Sequence, residues 1–325
     1  FSASAAQNLL TRIDSFVTSG VAASGNLVLF GDSIGNFFAV DRQTGGTRWS
    51  YKDSDATVIG IPAIADGNVI IAKSTGEIIC LKLSDGSVAW KYTPASSESV
   101  NEGLDDGVTA GGGKVYAAFT TGELKAFDLK TGKISWTYNA EQGLRTAPVY
   151  SGGLVLLGEY NGLFSMIDAK TGKRVNGGGA GGAINTPAVN NGNVYYSAWD
   201  GSVHAVKIKD VIPLWEANVK EPINTAPVVN EGIIAVETAS GKIFALDEKS
   251  GEILWEFASN GGEKATRPVI SGGKVFAGTG DNRVLVLNVK SGRLINEISN
   301  AYAVNSSEGK VLYFINENSE LYELE

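Results

Sequence analysis

One nine-residue string recurs along the chain, and it restricts the fold more than any other feature. DRQTGGTRW ends at Trp49, KLSDGSVAW at Trp90, DLKTGKISW at Trp136, DAKTGKRVN at Asn176, KIKDVIPLW at Trp215, DEKSGEILW at Trp255 and NVKSGRLIN at Asn296. Those ends step by 41, 46, 40, 39, 40 and 41 residues, which is the period of a repeat architecture. Before each copy stand two runs of alternating apolar and polar residues divided by a glycine-bearing turn, as in NVIIAKS and then GEIICLKL. Such alternation bounded by turns marks antiparallel hairpins.

Each unit is therefore expected to hold four short strands. Strand A begins near a proline (Pro62, Pro148, Pro187, Pro227, Pro268), strand B follows a Gly-Asn or Gly-Lys turn, strand C ends at the Asp, and strand D carries the Trp. Four strands in about 40 residues make a β-propeller blade, which buries both faces only by stacking on its neighbours. Seven units end at Asn296, and the rest of the chain supplies strands A to C of an eighth but no strand D. Residues 9–16 (LLTRIDSF) have no other place and are assigned to that missing strand. The fold expected is all-β, a single eight-bladed propeller over residues 1–325 built of four-stranded antiparallel blades. Blades one to seven fall in 17–300, strands A to C of blade eight in 301–325, and the N-terminal strand closes the ring so that no sheet end is left exposed.

The motif has a physical reading. Thr-Gly or Ser-Gly lies at the turn between strands C and D, where Gly takes positive φ and the Asp or Thr oxygen accepts turn amides. A Trp four residues after that Gly is large enough to fill the wedge between blades, its indole N–H reaching a backbone acceptor. Trp49, Trp90, Trp136, Trp215 and Trp255 are accordingly read as blade-docking residues and not as a cofactor cage. The 41 glycines follow no Gly-X-Y period and belong to these turns.

Composition removes whole classes of chemistry. A single cysteine and a single histidine form neither an internal disulfide nor a Cys/His zinc or iron–sulfur site, so no metal and no cofactor are expected. Cys80 and His204 are read as packing residues in mid-strand positions. With 27 basic against 35 acidic residues the net charge is -8, which disfavours nucleic acid and anionic membrane surfaces. No apolar run reaches the roughly 18 residues of a spanning helix. The chain starts at Phe1 without Met, which reads as removal of an upstream segment.

The string Ala126-Phe-Asp-Leu-Lys-Thr-Gly-Lys-Ile-Ser-Trp136 matches at every fixed position A-x-D-x-x-T-G-x-x-x-W, the tryptophan-docking repeat of the quinoprotein or PQQ-like propellers, which the whole chain resembles. Two functions compete within that superfamily. The enzymes in it are PQQ-dependent dehydrogenases, larger, rich in inserts and with a vicinal cysteine pair, and this chain has one cysteine and one appreciable insertion. The compact, little-inserted eight-bladed ring resembles instead the BamB family of outer-membrane protein assembly factors. Blade seven, which ends at Asn296 without a docking Trp, and the last unit, which stops after strand C, add to that likeness.

That resemblance implies a non-enzymatic scaffold on the periplasmic side of the outer membrane, acting as a monomer on the assembly pore subunit and on nascent outer-membrane proteins. A lipid anchor upstream of Phe1 would be its only link to the membrane. The family grips the pore subunit through a Leu/Arg-bearing loop between blades three and four, and Leu144-Arg145-Thr146-Ala147-Pro148 stands in that place. The family's paired acidic residues ahead of blade five are replaced here by Ala183-Ile184-Asn185-Thr186-Pro187. An extracellular propeller binding another protein or a glycan stays open as the alternative.

Aligned on the prolines, the residues just ahead of strand A include Thr18, Asp105, Thr146, Asn185, Thr225, Thr266 and Tyr302, a polar set expected to be satisfied by channel waters. Arg145, Asn224 and Arg267 lie within two residues of that set and join Leu144 and Asn185 as candidate partner contacts, arginine being enriched at interface hot spots. The insertion at 94–106 carries Glu98, Glu102, Asp105 and Asp106 without the EF-hand pattern and reads as a solvated loop. The glycine run at 177–182 is read as a loop between blades, and the Trp199-Asp200 pair as a turn with no bearing on the repeat.

Overall fold

The computed structural model describes residues 7–13, 15–95, 104, 106–144, 146–259, 267–304, 312–316, 318 and 320–324. Every strand among them belongs to one of eight four-stranded sheets, and in each the strands follow in chain order except that the last sheet is completed by the N-terminal strand Gln7–Arg12 beside Glu320–Leu324. The fold is the eight-bladed β-propeller that the repeat predicts. The chain partitions into two compact units, the first built on blades one to four (10–161 and 165–176) and the second on blades five to eight (1–9, 162–164 and 177–325).

Blade one shows the pattern with Ala22–Ser24, Leu27–Gly31, Phe37–Asp41 and Thr47–Tyr51 as strands A to D. Strands B and C are buried almost along their length, whereas Thr47–Tyr51 is mostly exposed. The same gradient recurs in blade six, where Ile233–Glu237 is wholly buried and Ile253–Ala258 mostly exposed. Inner strands are covered on both faces and so read as continuous apolar runs, while the outer strand D alternates. The core therefore lies between blades rather than within them: Ile70, Cys80 and Trp90 of blade two pack with Val115, Phe119 and Phe127 of blade three, and Ala235, Ala245 and Trp255 of blade six with Val275, Leu285 and Leu287 of blade seven. Each Val, Leu, Ile or Phe side chain among them contributes about 1.5–3 kcal/mol when fully buried.

One irregularity recurs with the repeat. In blades one, two, three, five, six and seven the C–D ladder slips by a residue immediately beyond the docking position, as a bulge that turns that side chain toward the neighbouring blade. The residue directly across the ladder from the Trp is small: Ala39 opposite Trp49, Cys80 opposite Trp90, Ala126 opposite Trp136, Ala205 opposite Trp215, Ala245 opposite Trp255. In blade seven, where Asn296 replaces Trp, its partner is Val286. The alanine of the motif thus makes room for the indole.

Two boundaries differ from the sequence expectation. The N-terminal strand spans Gln7–Arg12 and not 9–16, because Val17 bridges to Asp32 and the Phe16 carbonyl accepts the Ser33 amide at 2.9 Å, which commits this segment to blade one. The glycine run begins as strand: Arg174–Gly179 forms strand D of blade four, and the Ala180 amide still bonds the Gly162 carbonyl at 2.9 Å. Glycine lacks a side chain but keeps its amide and carbonyl, so the ladder continues where loop composition suggested otherwise.

Candidate functional site

The docking tryptophans behave as one device. Trp49 Nε1 donates to the Leu83 carbonyl at 3.0 Å, Trp90 to Leu129 at 2.7 Å, Trp136 to Ala169 at 3.1 Å, Trp215 to Glu248 at 3.1 Å and Trp255 to Val289 at 2.9 Å. Each acceptor lies three residues before the turn glycine of the following blade, and the indole lies against that glycine. At Gly132 a Cβ would come within 2.6 Å of the Trp90 ring, and its φ of 68° is left-handed, so both ring and backbone require glycine there. The turn aspartates complete the device. Asp128 Oδ1 accepts the Thr131 amide at 2.9 Å and its hydroxyl at 2.8 Å, and Asn288 does the same for Ser291. Bonds from Thr131 and Thr171 hold the Asp128 and Asp168 carboxyls below their ordinary value.

The loop residues singled out from the sequence have different surroundings. Leu144 is completely buried against Tyr116, Val155 and Leu157, so its side chain packs the loop between blades three and four and is not on the surface. Arg145 lies outside the described residues. The residues that follow it are held by two bonds: Thr146 Oγ1 donates to the Gly158 carbonyl at 2.9 Å, and the Ala147 amide donates to Asp106 Oδ2 at 3.1 Å. Asp106, taken from sequence as part of a solvated loop, is thus a brace. Asn185 spends both amide hydrogens within the second unit, on Ser197 Oγ and the Ile223 carbonyl at 3.0 Å each. Asn224 is exposed and Arg267 half-buried.

Protein groups bond several members of the polar set ahead of strand A. Thr18 Oγ1 donates to the Val58 carbonyl at 2.8 Å and Thr225 Oγ1 to the Glu237 carbonyl at 3.0 Å. Asp105 and Thr266, like Glu98 and Glu102, lie outside the described residues, as does the side chain of Tyr302. Cys80 is buried opposite Trp90, and burial pushes its thiol up to about 11. Trp199, set aside in the sequence, is 52% exposed, and its amide bonds the Ala183 carbonyl at 3.0 Å, which ties its turn to the segment ahead of strand A. The signal was present in the sequence: Trp199 is the tryptophan outside the docking register.

A second feature went unread in the sequence. Four docking residues are followed two positions later by another ring, as Trp49 and Tyr51, Trp90 and Tyr92, Trp136 and Tyr138, Trp255 and Phe257. Blade four has Asn176 and Gly178 at these positions, with Met166 where most blades have alanine, and blade five has Val211 where the turn glycine belongs. A cavity of about 360 Å³ opens in the second unit, lined by Gly177, Gly178, Gly179, Tyr196, His204 and Val211 among others. Phe164, Tyr196 and His204 stack in a column along it, with centroids 4.6 and 4.7 Å apart. His204 Nε2 pairs with Ser202 Oγ at 2.9 Å, and Nδ1 stands 3.8 Å from the Glu216 carboxylate. Desolvation pulls the imidazole below its ordinary value against the opposing Glu216 and Asp200, so it is neutral at pH 7. Burial, with Glu216 adding to it, pushes the Tyr196 hydroxyl up to about 12.

Comparison with known proteins follows the same lines. The family model of the outer membrane protein assembly factor BamB matches residues 93–176 and 176–320. BamB of Yersinia pestis is 25% identical over 261 residues, covering 76% of this chain and 65% of that protein, and BamB of Moranella endobia is 22% identical over 249 residues, covering 73% and 64%. The chain thus spans a little under two thirds of these curated relatives. In three dimensions it resembles the crystal structure of BamB from Moraxella catarrhalis with a TM-score of 0.80, at 20% identity over 98% of this chain and 97% of that one. The computationally designed Ika8 protein also superimposes, with a TM-score of 0.76 at 17% identity over 97% of this chain and 99% of that one, which speaks to the fold alone. With seven tenths of its length matched in two consecutive stretches, this chain belongs to the BamB family of outer membrane protein assembly factors.

Proposed function

We propose that this propeller is a non-enzymatic scaffold in outer-membrane protein assembly, working on the periplasmic side of that membrane. The family match over residues 93–176 and 176–320 carries the reading. The docking element we assign is the loop at 144–148. Its anchor is the buried Leu144 and its braces are Thr146 and the Asp106 bond to Ala147, and Arg145 is assigned as its partner contact on the family resemblance of the sequence. Anchored flanks reduce the freedom that a segment loses on binding, and arginine is the charged residue most used at interface hot spots. On the second unit, taken by itself, exposed Asn224 and Trp199 and half-buried Arg267 are the candidate partner contacts.

The outer strands offer a different surface. Aliphatic side chains on strands D, from Leu294 at 41% to Val175 at 55% exposure, stand in the open beside unpaired sheet edges. Such edges accept extended client segments by strand addition. The docking claim is tested by capture of the periplasmic domains of the assembly pore subunit on the immobilised chain. Arg145→Glu is expected to reduce capture at least tenfold with the circular dichroism spectrum unchanged. Equal capture by the two proteins overturns it.

A further inference from the structure

The cavity beside strand D of blade four marks a place where the repeat withholds its own side chains. In blades two and three the equivalent space is filled from within. Trp90 stacks on Phe127, and Tyr92 lies 4.8 Å from the Phe127 ring with its hydroxyl 3.3 Å from Lys125 Nζ. The C–D ladders fix the correspondence, since Ala126 faces Trp136 as Ala205 faces Trp215. Phe127 therefore corresponds to Val206 and Lys125 to His204, and both of these line the cavity. Where Tyr92 stands in the one place, Gly178 stands in the other.

Three observations show a built site and not a packing fault. Tyr196 is 3% exposed and lines the cavity, and no hydrogen bond from its hydroxyl to another described residue is made, so that oxygen opens on the cavity. Gly178 keeps that hydroxyl open, because a Cβ there would lie 2.9 Å from it. Val211, a β-branched residue, is held at φ 51°, a left-handed conformation such residues rarely adopt and which persists where the surroundings impose it. Pro213, Leu214, Trp215 and the exposed carboxylate of Glu216 complete the rim. The volume lies at the small end of the roughly 300–1,000 Å³ of ligand sites.

We propose that this cavity receives one aromatic side chain of an extended polypeptide partner, in the manner of the tryptophans that seal five of the other blades. The precedent is on the molecule itself: five times a strand-borne indole lies over the next blade and bonds a turn carbonyl. A tryptophan suits the walls best, its ring over Val206 and the His204–Tyr196 column and its N–H toward the Tyr196 oxygen. Adjacent Gly177–Gly179 lets the partner's backbone approach without side-chain obstruction. The assignment deepens the scaffold reading by naming the chemistry of a client segment, and it holds whether or not the 144–148 loop engages a pore.

The test uses fluorescence anisotropy of a labelled pentapeptide, Thr-Val-Trp-Val-Thr, with the full chain, against the same peptide with Ala in place of Trp. The Trp peptide is expected to bind at least tenfold more tightly. N176W/V211G, which restores the chain's own indole and its glycine seat, is expected to abolish that advantage. Tyr196→Phe, which keeps the ring stack and removes the hydroxyl, is expected to weaken binding about fivefold and guards against misfolding of the double variant. Equal affinity of the two peptides, undiminished binding to both variants, or binding of N-acetyltryptophanamide as tight as that of the peptide each overturns the proposal.

Discussion

Val88–Tyr92 and Arg174–Gly179 are the same strand of the same repeat, and they end in opposite surroundings. The first delivers Trp90 and Tyr92 into a continuous core with Phe119 and Phe127 of the next blade. The second delivers Asn176 and Gly178 and borders a cavity. Both keep the backbone ladder, so the difference lies wholly in side chains. The lesson is that sheet architecture and seam packing are separable in a propeller. Hydrogen bonds build each blade, while two or three side chains per repeat decide whether a seam is sealed.

The strongest way to break the comparison is to remove what seals the first strand. Trp90→Ala deletes a side chain 8% exposed together with its bond to Leu129, and is expected to cost about 3–5 kcal/mol by urea denaturation of the full chain. A cost below about 1 kcal/mol would show that the seam does not depend on the indole. Gly132→Ala attacks the same contact from the other side, placing a methyl 2.6 Å from the ring at left-handed φ, with an expected loss of about 2–3 kcal/mol.

Val211→Gly is expected to act with the opposite sign. Relief of left-handed strain, about 1–2 kcal/mol, exceeds the entropic cost of glycine, about 0.5–1 kcal/mol, so the variant gains stability by a few tenths to about 1 kcal/mol. If it loses stability instead, Val211 is held there by packing and the strain argument fails.

The smallest effect concerns the turns that both kinds of strand share. Asp128 and Asp168 have carboxyls held below their ordinary value by Thr131 and Thr171. Their contribution to stability is fully present above the unfolded pKa of about 4 and is lost as pH falls through the folded values. Asp128→Asn is expected to shift the acid-unfolding midpoint slightly downward, because Asn288 already shows that an amide oxygen accepts the same bonds. No change in the midpoint would mean that other carboxylates govern acid unfolding.

Much of this was legible in the one-dimensional pattern. The recurrence of Asp, Gly and Trp at fixed spacing gave the blade number, the four strands and the completing role of the N-terminus, because each of those residues serves a local turn or a nearest-neighbour contact. The loop at 144–148 was legible as a place but not as an arrangement. Nothing in its composition tells that Leu144 is buried or that Asp106, far earlier in the chain, bonds Ala147. Asn185 likewise looks like a ligand contact in sequence and turns out to spend its amide on Ser197 and Ile223. The glycine run has the composition of a loop and starts as strand, because composition reports side chains whereas the ladder uses only backbone.

The amino-acid sequence by itself therefore determined the repeat, the blade architecture and the docking role of five tryptophans, since these follow from period, turn chemistry and local register. Only the tertiary structure decided that the space beside strand D of blade four stays open where the equivalent space beside blade two is filled. Tyr196, Gly178, His204 and Val211 come together over separations much longer than a turn, and whether missing rings leave a void depends on what packs in from the neighbouring strands. Space left unfilled is a property of several side chains at once, and no single position in the chain records it.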